Sequence, residues 1–335
     1  MNRLKPLTVV EYNTAEETAI SHLPNRIVES YFLPLSFLKT SYPTRVRNES
    51  ELWKYVDVMH SLRFENDLDD LMGGSLTENE FELLKRLTTL ICRFTESKFQ
   101  EKRIARGSLL RMLNVLRHIK YIFGEDRPRV LEIGPGCGYL GAMLQLDGYP
   151  YAATDVCQAF YLYQNHLWNF ISDGKVNELA YGNVSNEHFA APSSGYATHI
   201  PWWEFVRLRP KSAPQFDVVT INHALCELSP DSLGFLLRIS KAILRGNKNI
   251  KAFIFEGWGG QSMRTNASLI KEFHRFGYNI VHHDKKITVI VPAGSKNDID
   301  HFSFPKQSQS TLAMERNKLV RTILAMERNK LVRTI

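Results

Sequence analysis

Residues 130–141, VLEIGPGCGYLG, hold four glycines in twelve positions directly after a short apolar run. Glycine there lets a ligand press against backbone N–H groups at a helix N-terminus. Two frames fit the stretch. Gly136-Cys137-Gly138-Tyr139-Leu140-Gly141 reads as G-x-G-x-x-G, the dinucleotide fingerprint. Glu132-Ile133-Gly134-Pro135-Gly136-Cys137-Gly138 reads as an acidic residue followed by G-x-G-x-G. Asp155, 21 positions after Gly134, suits a ribose in either frame. Glu132 separates them. A carboxylate inside an apolar strand needs a cation or donors, and S-adenosyl-L-methionine offers an ammonium group that a dinucleotide lacks.

Further along lie residues suited to proton transfer and acceptor binding. His223 follows the strong strand pattern FDVVTIN (216–222), at the carboxyl-end rim where open α/β sheets bind ligands. Imidazole titrates near working pH and is a natural general base for a hydroxyl nucleophile; the competing role is a hydrogen-bonded structural histidine. Glu227 and Glu256 should reach the same rim, to bind hydroxyls, orient His223 or hold a divalent cation through oxygen. No ligand pattern establishes a metal. The indoles of Trp202 and Trp203 could stack on an acceptor, or anchor their segment to the core; the expectation is one in each role.

These residues need elements to carry them. Residues 1–124 read as a mainly helical region. Thr77 and Glu80 form a capping box, with Leu76 and Phe81 as the flanking staple, and a second helix runs from Ser108 to Gly124. Residues 125–295 alternate short strands with helices: RVLEI, PYAATD, a weak NELAY, FDVVTIN and KAFIFEG. Ser229 caps the helix that continues to about Leu244. The rhythm is that of a parallel, doubly wound sheet. YNIVHHDKKITVIVPA (278–293) breaks it with a hairpin that puts one antiparallel strand into the sheet. Residues 184–215 exceed an ordinary connection and are expected to be a lid or disordered.

The glycine turn with Asp155 and the closing hairpin resemble the class I S-adenosylmethionine-dependent methyltransferases over about 125–293. YLYQNHLWNF (161–170), PWWEF, NHALCEL and FEGWG more narrowly resemble the sugar O-methyltransferase family. The resemblance implies a Rossmann-like α/β sheet and S-adenosyl-L-methionine as cofactor. Glu132 would face the methionine amino group, Gly134, Gly136 and Gly138 would admit methionine and ribose, and Asp155 would take the ribose hydroxyls. Asn183, in YGNV, falls where the class often places a polar group for the adenine amine; an ordinary turn asparagine is the alternative. The acceptor implied is a small molecule, a sugar or glycosylated compound. An NAD-dependent oxidoreductase, a methyltransferase for another small molecule and a non-catalytic binding protein remain as alternatives.

Composition sets the remaining limits. The chain has 335 residues, 44% of them hydrophobic, enough for a sizeable core. Its net charge of +7 raises nucleic acid as a partner, but LAMERNKLVRTI occurs twice in tandem, at 312–323 and 324–335, and the pair carries +4 of it. Residues 296–335 are therefore expected to be a solvated basic tail and not a nucleic-acid arm. Asn222-His223-Ala224-Leu225 also lacks the Pro-Pro-aromatic run of amino-methylating nucleic-acid enzymes. Four cysteines without C-x-x-C spacing and the lack of a signal-like or membrane-spanning run point to a cytoplasmic setting.

Overall fold

The computed structural model describes residues 5–25, 27–28, 45–52, 71–182, 189, 196–225, 228–245, 250–257, 265–284, 286–294, 318–319 and 321–326. Helix α1 (Val9–Ile20) opens with a capping box in which Thr8 and Glu11 satisfy each other's backbone N–H groups. The same device opens α2 (Glu78–Phe99), where the Thr77 N–H donates to Glu80 at 2.8 Å. Helix α3 (Arg106–Phe123) begins two residues ahead of Ser108 and stops at Gly124.

The sheet has eight strands: β1 (Val130–Ile133), β2 (Tyr151–Asp155), β3 (Val176–Glu178), β4 (Ala197–Pro201), β5 (Val218–Ile221), β6 (Ala252–Glu256), β7 (Tyr278–His283) and β8 (Ile287–Pro292). Between them run α4 (Tyr139–Leu146), α5 (Gln158–Ile171), the single turn α6 (Trp202–Phe205), α7 (Pro230–Ile243) and α8 (Asn266–Arg275). The strand order is β3-β4-β2-β1-β5-β6-β8-β7. Strands β1 to β6 pair in parallel, and β8 runs antiparallel between β6 and β7. This is the expected Rossmann-like α/β sheet, mostly parallel with an antiparallel last strand.

Alternation along the strands loads both faces. Val130, Val218, Ile254 and Val289 join one core with α1 to α5; Leu131, Val219, Phe253 and Ile290 join the other with α7 and α8. Each such side chain contributes roughly 1.5–3 kcal/mol by leaving water. Among the described residues no helix is long and apolar enough to cross a membrane.

Two expectations need correction. Residues 197–201, expected within a lid or disordered connection, form β4, buried along its whole length and paired with β2 and β3. Ladders on both sides satisfy its backbone, so a polar-looking sequence serves as an interior strand. The weak NELAY strand becomes the short edge strand β3. The tail is not wholly solvated either. Residues 318–319 and 321–326 are helical, Leu319 and Ile323 are each 1% exposed, and both belong to the core that includes α2. The Lys318 ammonium lies over the Phe81 ring at 4.3 Å, and the Thr89 hydroxyl meets the Met326 sulfur at 3.7 Å.

Candidate active site

The strand order reverses at β1, whose neighbours are β2 on one side and β5 on the other. Ligands of open α/β sheets bind beyond the carboxyl ends of strands at such a switch point. Here β1 runs into a turn where Gly134, Gly136 and Gly138 have φ of +68°, +58° and +70°. L side chains rarely adopt these angles. At Gly136 nothing lies within 4 Å of where a Cβ would stand, so the turn borders open space. Gly141 is different. A Cβ there would come within 2.5 Å of the Tyr151 ring. Tyr151 uses that room to reach Glu132, so the fourth glycine serves internal packing.

Glu132 is fully buried, with Oε2 accepting from the Tyr151 hydroxyl at 2.7 Å and Oε1 from the Asn222 amide at 3.1 Å. Burial pushes its carboxyl up to about 7, against which the two donors pull. The chain thus supplies the donors that the sequence pattern demanded, and the burial of Glu132 does not by itself call for a ligand ammonium. Asp155, 5% exposed, accepts from the Cys157 N–H at 2.9 Å and from the Gln164 amide at 2.8 Å. Burial raises it to about 6. The Gln164 amide also donates to the Gly136 carbonyl at 2.8 Å, tying the glycine turn to the carboxylate beside it.

Support for Gln164 comes from deeper inside. Its Oε1 lies 3.2 Å from His199 Nε2, and His199 Nδ1 lies 3.0 Å from Glu178 Oε2. His199 stacks on Tyr161 with ring centroids 3.6 Å apart. Asp155, Gln164, His199 and Glu178 therefore form one buried polar row across β2, α5, β4 and β3, an arrangement that fixes side-chain orientation.

Beyond β5 and β6 stands a second group. Asn222 joins three strand ends: its amide donates to Glu132, while its Oδ1 accepts from the Glu256 N–H at 3.1 Å. His223 has φ +58° and its N–H donates to the Glu256 carbonyl at 2.8 Å. Its side chain is 43% exposed, whereas that of Glu256 is 1% exposed. His223 Nε2 lies 2.5 Å from Glu256 Oε2 and 2.8 Å from Arg111 Nη1 of α3. One nitrogen does not donate to a carboxylate and accept from a guanidinium at once. Arg111 can only donate, so Nε2 accepts from the guanidinium and Nδ1 carries the proton of the neutral ring, while Glu256 Oε2, with no hydrogen-bond partner among the described residues, faces Nε2 as a charge. A Cβ at Gly257 would come within 2.7 Å of His223 Cε1 and 2.9 Å of Nδ1, so glycine there lets the ring pack against the backbone.

The remaining expected residues fall elsewhere. Trp202 and Trp203 are 2% and 3% exposed; Trp202 donates to Glu16 at 2.8 Å, and Trp203 meets Tyr12 edge-on at 5.2 Å. Both hold α1 against the sheet, and neither ring presents an open face for stacking on an acceptor. Asn183 and Glu227 lie outside the described residues. Arg111, Gln164 and His199 join these clusters without having been singled out in the sequence, whereas Asn222 stands beside His223 as its position in NHALCEL suggests. Arg111 lies in α3 outside any motif, so no sequence pattern marks it.

No protein-family model matches the chain, and no curated protein matches it in sequence. Its sheet is similar to that of magnesium protoporphyrin IX methyltransferase from Synechocystis with bound S-adenosylmethionine, at 12% identity over 74% of this chain and 100% of that one, TM-score 0.36. It is also similar to a TehB-like methyltransferase from Corynebacterium glutamicum, at 11% identity over 55% and 87% of the two chains, TM-score 0.38. A third is the glycopeptide N-methyltransferase MtfA, at 11% identity over 52% and 94%, TM-score 0.36.

Proposed function

We propose that residues 125–295 bind S-adenosyl-L-methionine and catalyse transfer of its methyl group to a hydroxyl of a sugar or glycosylated small molecule. The observation that carries the cofactor assignment is the pairing of an open, positive-φ glycine turn with Asp155 at the end of β2, in a sheet whose last strand is antiparallel. Asp155 would hold the ribose hydroxyls. The cofactor supplies an electrophilic methyl group on a sulfonium. Glu132, held beneath the turn by Tyr151 and Asn222, would become fully ionised against the methionine ammonium.

His223 is the proposed base, its Nε2 taking the acceptor's proton in place of the Arg111 hydrogen bond while the buried Glu256 carboxylate beside it stabilises the resulting imidazolium. The sugar acceptor rests on the short family-like strings, and Trp202 and Trp203 do not add to it. A divalent cation is not proposed at this rim, since the Glu256 carboxylate already faces His223.

Calorimetric titration with S-adenosylhomocysteine and, separately, NAD tests the cofactor. The former should bind, and Asp155→Ala should weaken it by more than about tenfold through loss of a charged acceptor. Binding of NAD alone would transfer the site to the oxidoreductase alternative.

A further inference from the structure

A second cluster lies apart from the glycine turn. His118 projects from α3, while His282 and Asp284 come from the end of β7 and the turn into β8. The ligating atoms of the three all lie within 4.8 Å of one another, and His282 Nε2 is 3.2 Å from Asp284 Oδ2. The two imidazoles face each other with centroids 5.5 Å apart and planes 44° apart.

Local hydrogen bonding prepares each ligand. His118 Nδ1 lies 2.8 Å from the Asn114 carbonyl, which can only accept, so Nδ1 carries the proton and Nε2 the lone pair. A carbonyl on the far ring nitrogen is the usual device that orients a metal-binding histidine. Asp284 commits Oδ1 to the Lys286 and Ile287 N–H groups, each at 2.7 Å, and this fixes the turn with Oδ2 directed at His282.

We propose that His118 Nε2, His282 Nε2 and Asp284 Oδ2 bind a zinc-class divalent cation, clipping the β7–β8 hairpin to α3. Two imidazoles and one carboxylate suit zinc and its first-row neighbours, and not magnesium or calcium, which prefer oxygen ligands. Tetrahedral ligand atoms stand about 3.4 Å apart when metal–nitrogen distances are about 2.1 Å. The His282–Asp284 pair already meets that spacing; since Asp284 Oδ2 only accepts, His282 Nε2 carries a proton there, which moves to Nδ1 or to solvent when the cation binds. Their side chains are 15% and 40% exposed, so rotation of the hairpin ligands closes the remainder around the buried His118. Three protein ligands leave one position for water.

The inference is independent of the cofactor assignment and is tested without an activity assay. Chelator-treated full-length chain would be titrated with Co²⁺ and followed by visible absorption and metal content, then with Zn²⁺ by thermal shift. One Co²⁺ per chain with a nitrogen/oxygen-ligand spectrum is expected, and a Zn²⁺-dependent rise in melting temperature. His282→Ala and Asp284→Asn alter hairpin side chains outside the fully buried core and should retain the native circular dichroism. Each should weaken Co²⁺ binding by at least about tenfold. Absence of stoichiometric uptake by the wild-type chain, uptake undiminished in both variants, or an equal response to Mg²⁺ would each overturn the site.

Discussion

At Glu132 the chain buries a carboxylate against two neutral donors, the Tyr151 hydroxyl and the Asn222 amide. Its value near 7, against an ordinary 4.5, means that folding takes up a proton. The stabilising effect of that uptake is complete below pH 4.5 and is lost as pH rises through about 7. Glu132→Gln should therefore raise the melting temperature relative to wild type at pH 8 and lose most of that advantage at pH 5, as differential scanning calorimetry would show. The ceiling is about 3 kcal/mol, at about 1.4 kcal/mol for each tenfold gain in proton affinity on folding. The same variant should bind S-adenosylhomocysteine more weakly, and unchanged binding would remove Glu132 from the cofactor site. His223 makes the complementary case. His223→Ala should lower turnover by about 10² or more in a methyl-incorporation assay, while cofactor affinity measured by calorimetry stays near wild type. Near-normal turnover would leave His223 a structural residue, clamped by Glu256 and Arg111.

Among the elements, the helical piece of the tail changes the expectation most. Leu319, Ile323 and Met326 recur at helical spacing, and the first two are buried in the core that includes α2. That stripe crosses the junction between the two copies of the repeat, because Ile323 ends one and Met326 belongs to the next. Leu319→Ala should cost about 2–5 kcal/mol in thermal or denaturant unfolding, and deletion of 312–335 should lower the melting temperature; a melt unchanged by both would mean that the tail is solvated after all. The sequence made the other elements unequally visible. Capping boxes at Thr8 and Thr77, alternating strands and the hairpin are local patterns. The second of these boxes, the β1–turn–α4 unit and the β7–β8 pair were legible for that reason. Strand β4 was not, because Ala197-Thr198-His199-Ile200-Pro201 lacks an apolar run and becomes interior only through pairing on both edges. Arg111 was hidden similarly, since only the approach of α3 to the ends of β5 and β6 brings it to His223.

For the molecule as a whole, the N-terminal segment is held by side chains of α5 and α6. The Leu7 N–H donates to Asn165 at 2.8 Å across 158 residues, and Val46 donates to Gln158 at 2.7 Å across 112. Glu16 accepts from Trp202 across 186 residues. Twelve of the residues of α5 are buried because the sheet covers one side and this segment helps cover the other. Sequence periodicity located α5 but gave no sign that its amides and His166 would grip distant backbone. Time enters through those separations. During synthesis, α1 emerges long before its seat, because Trp202 and Trp203 follow it about ten to forty seconds later at ~5–20 residues per second. Over that interval Tyr12 and its neighbours are open to chaperones and proteases, and an early-made helix docks late.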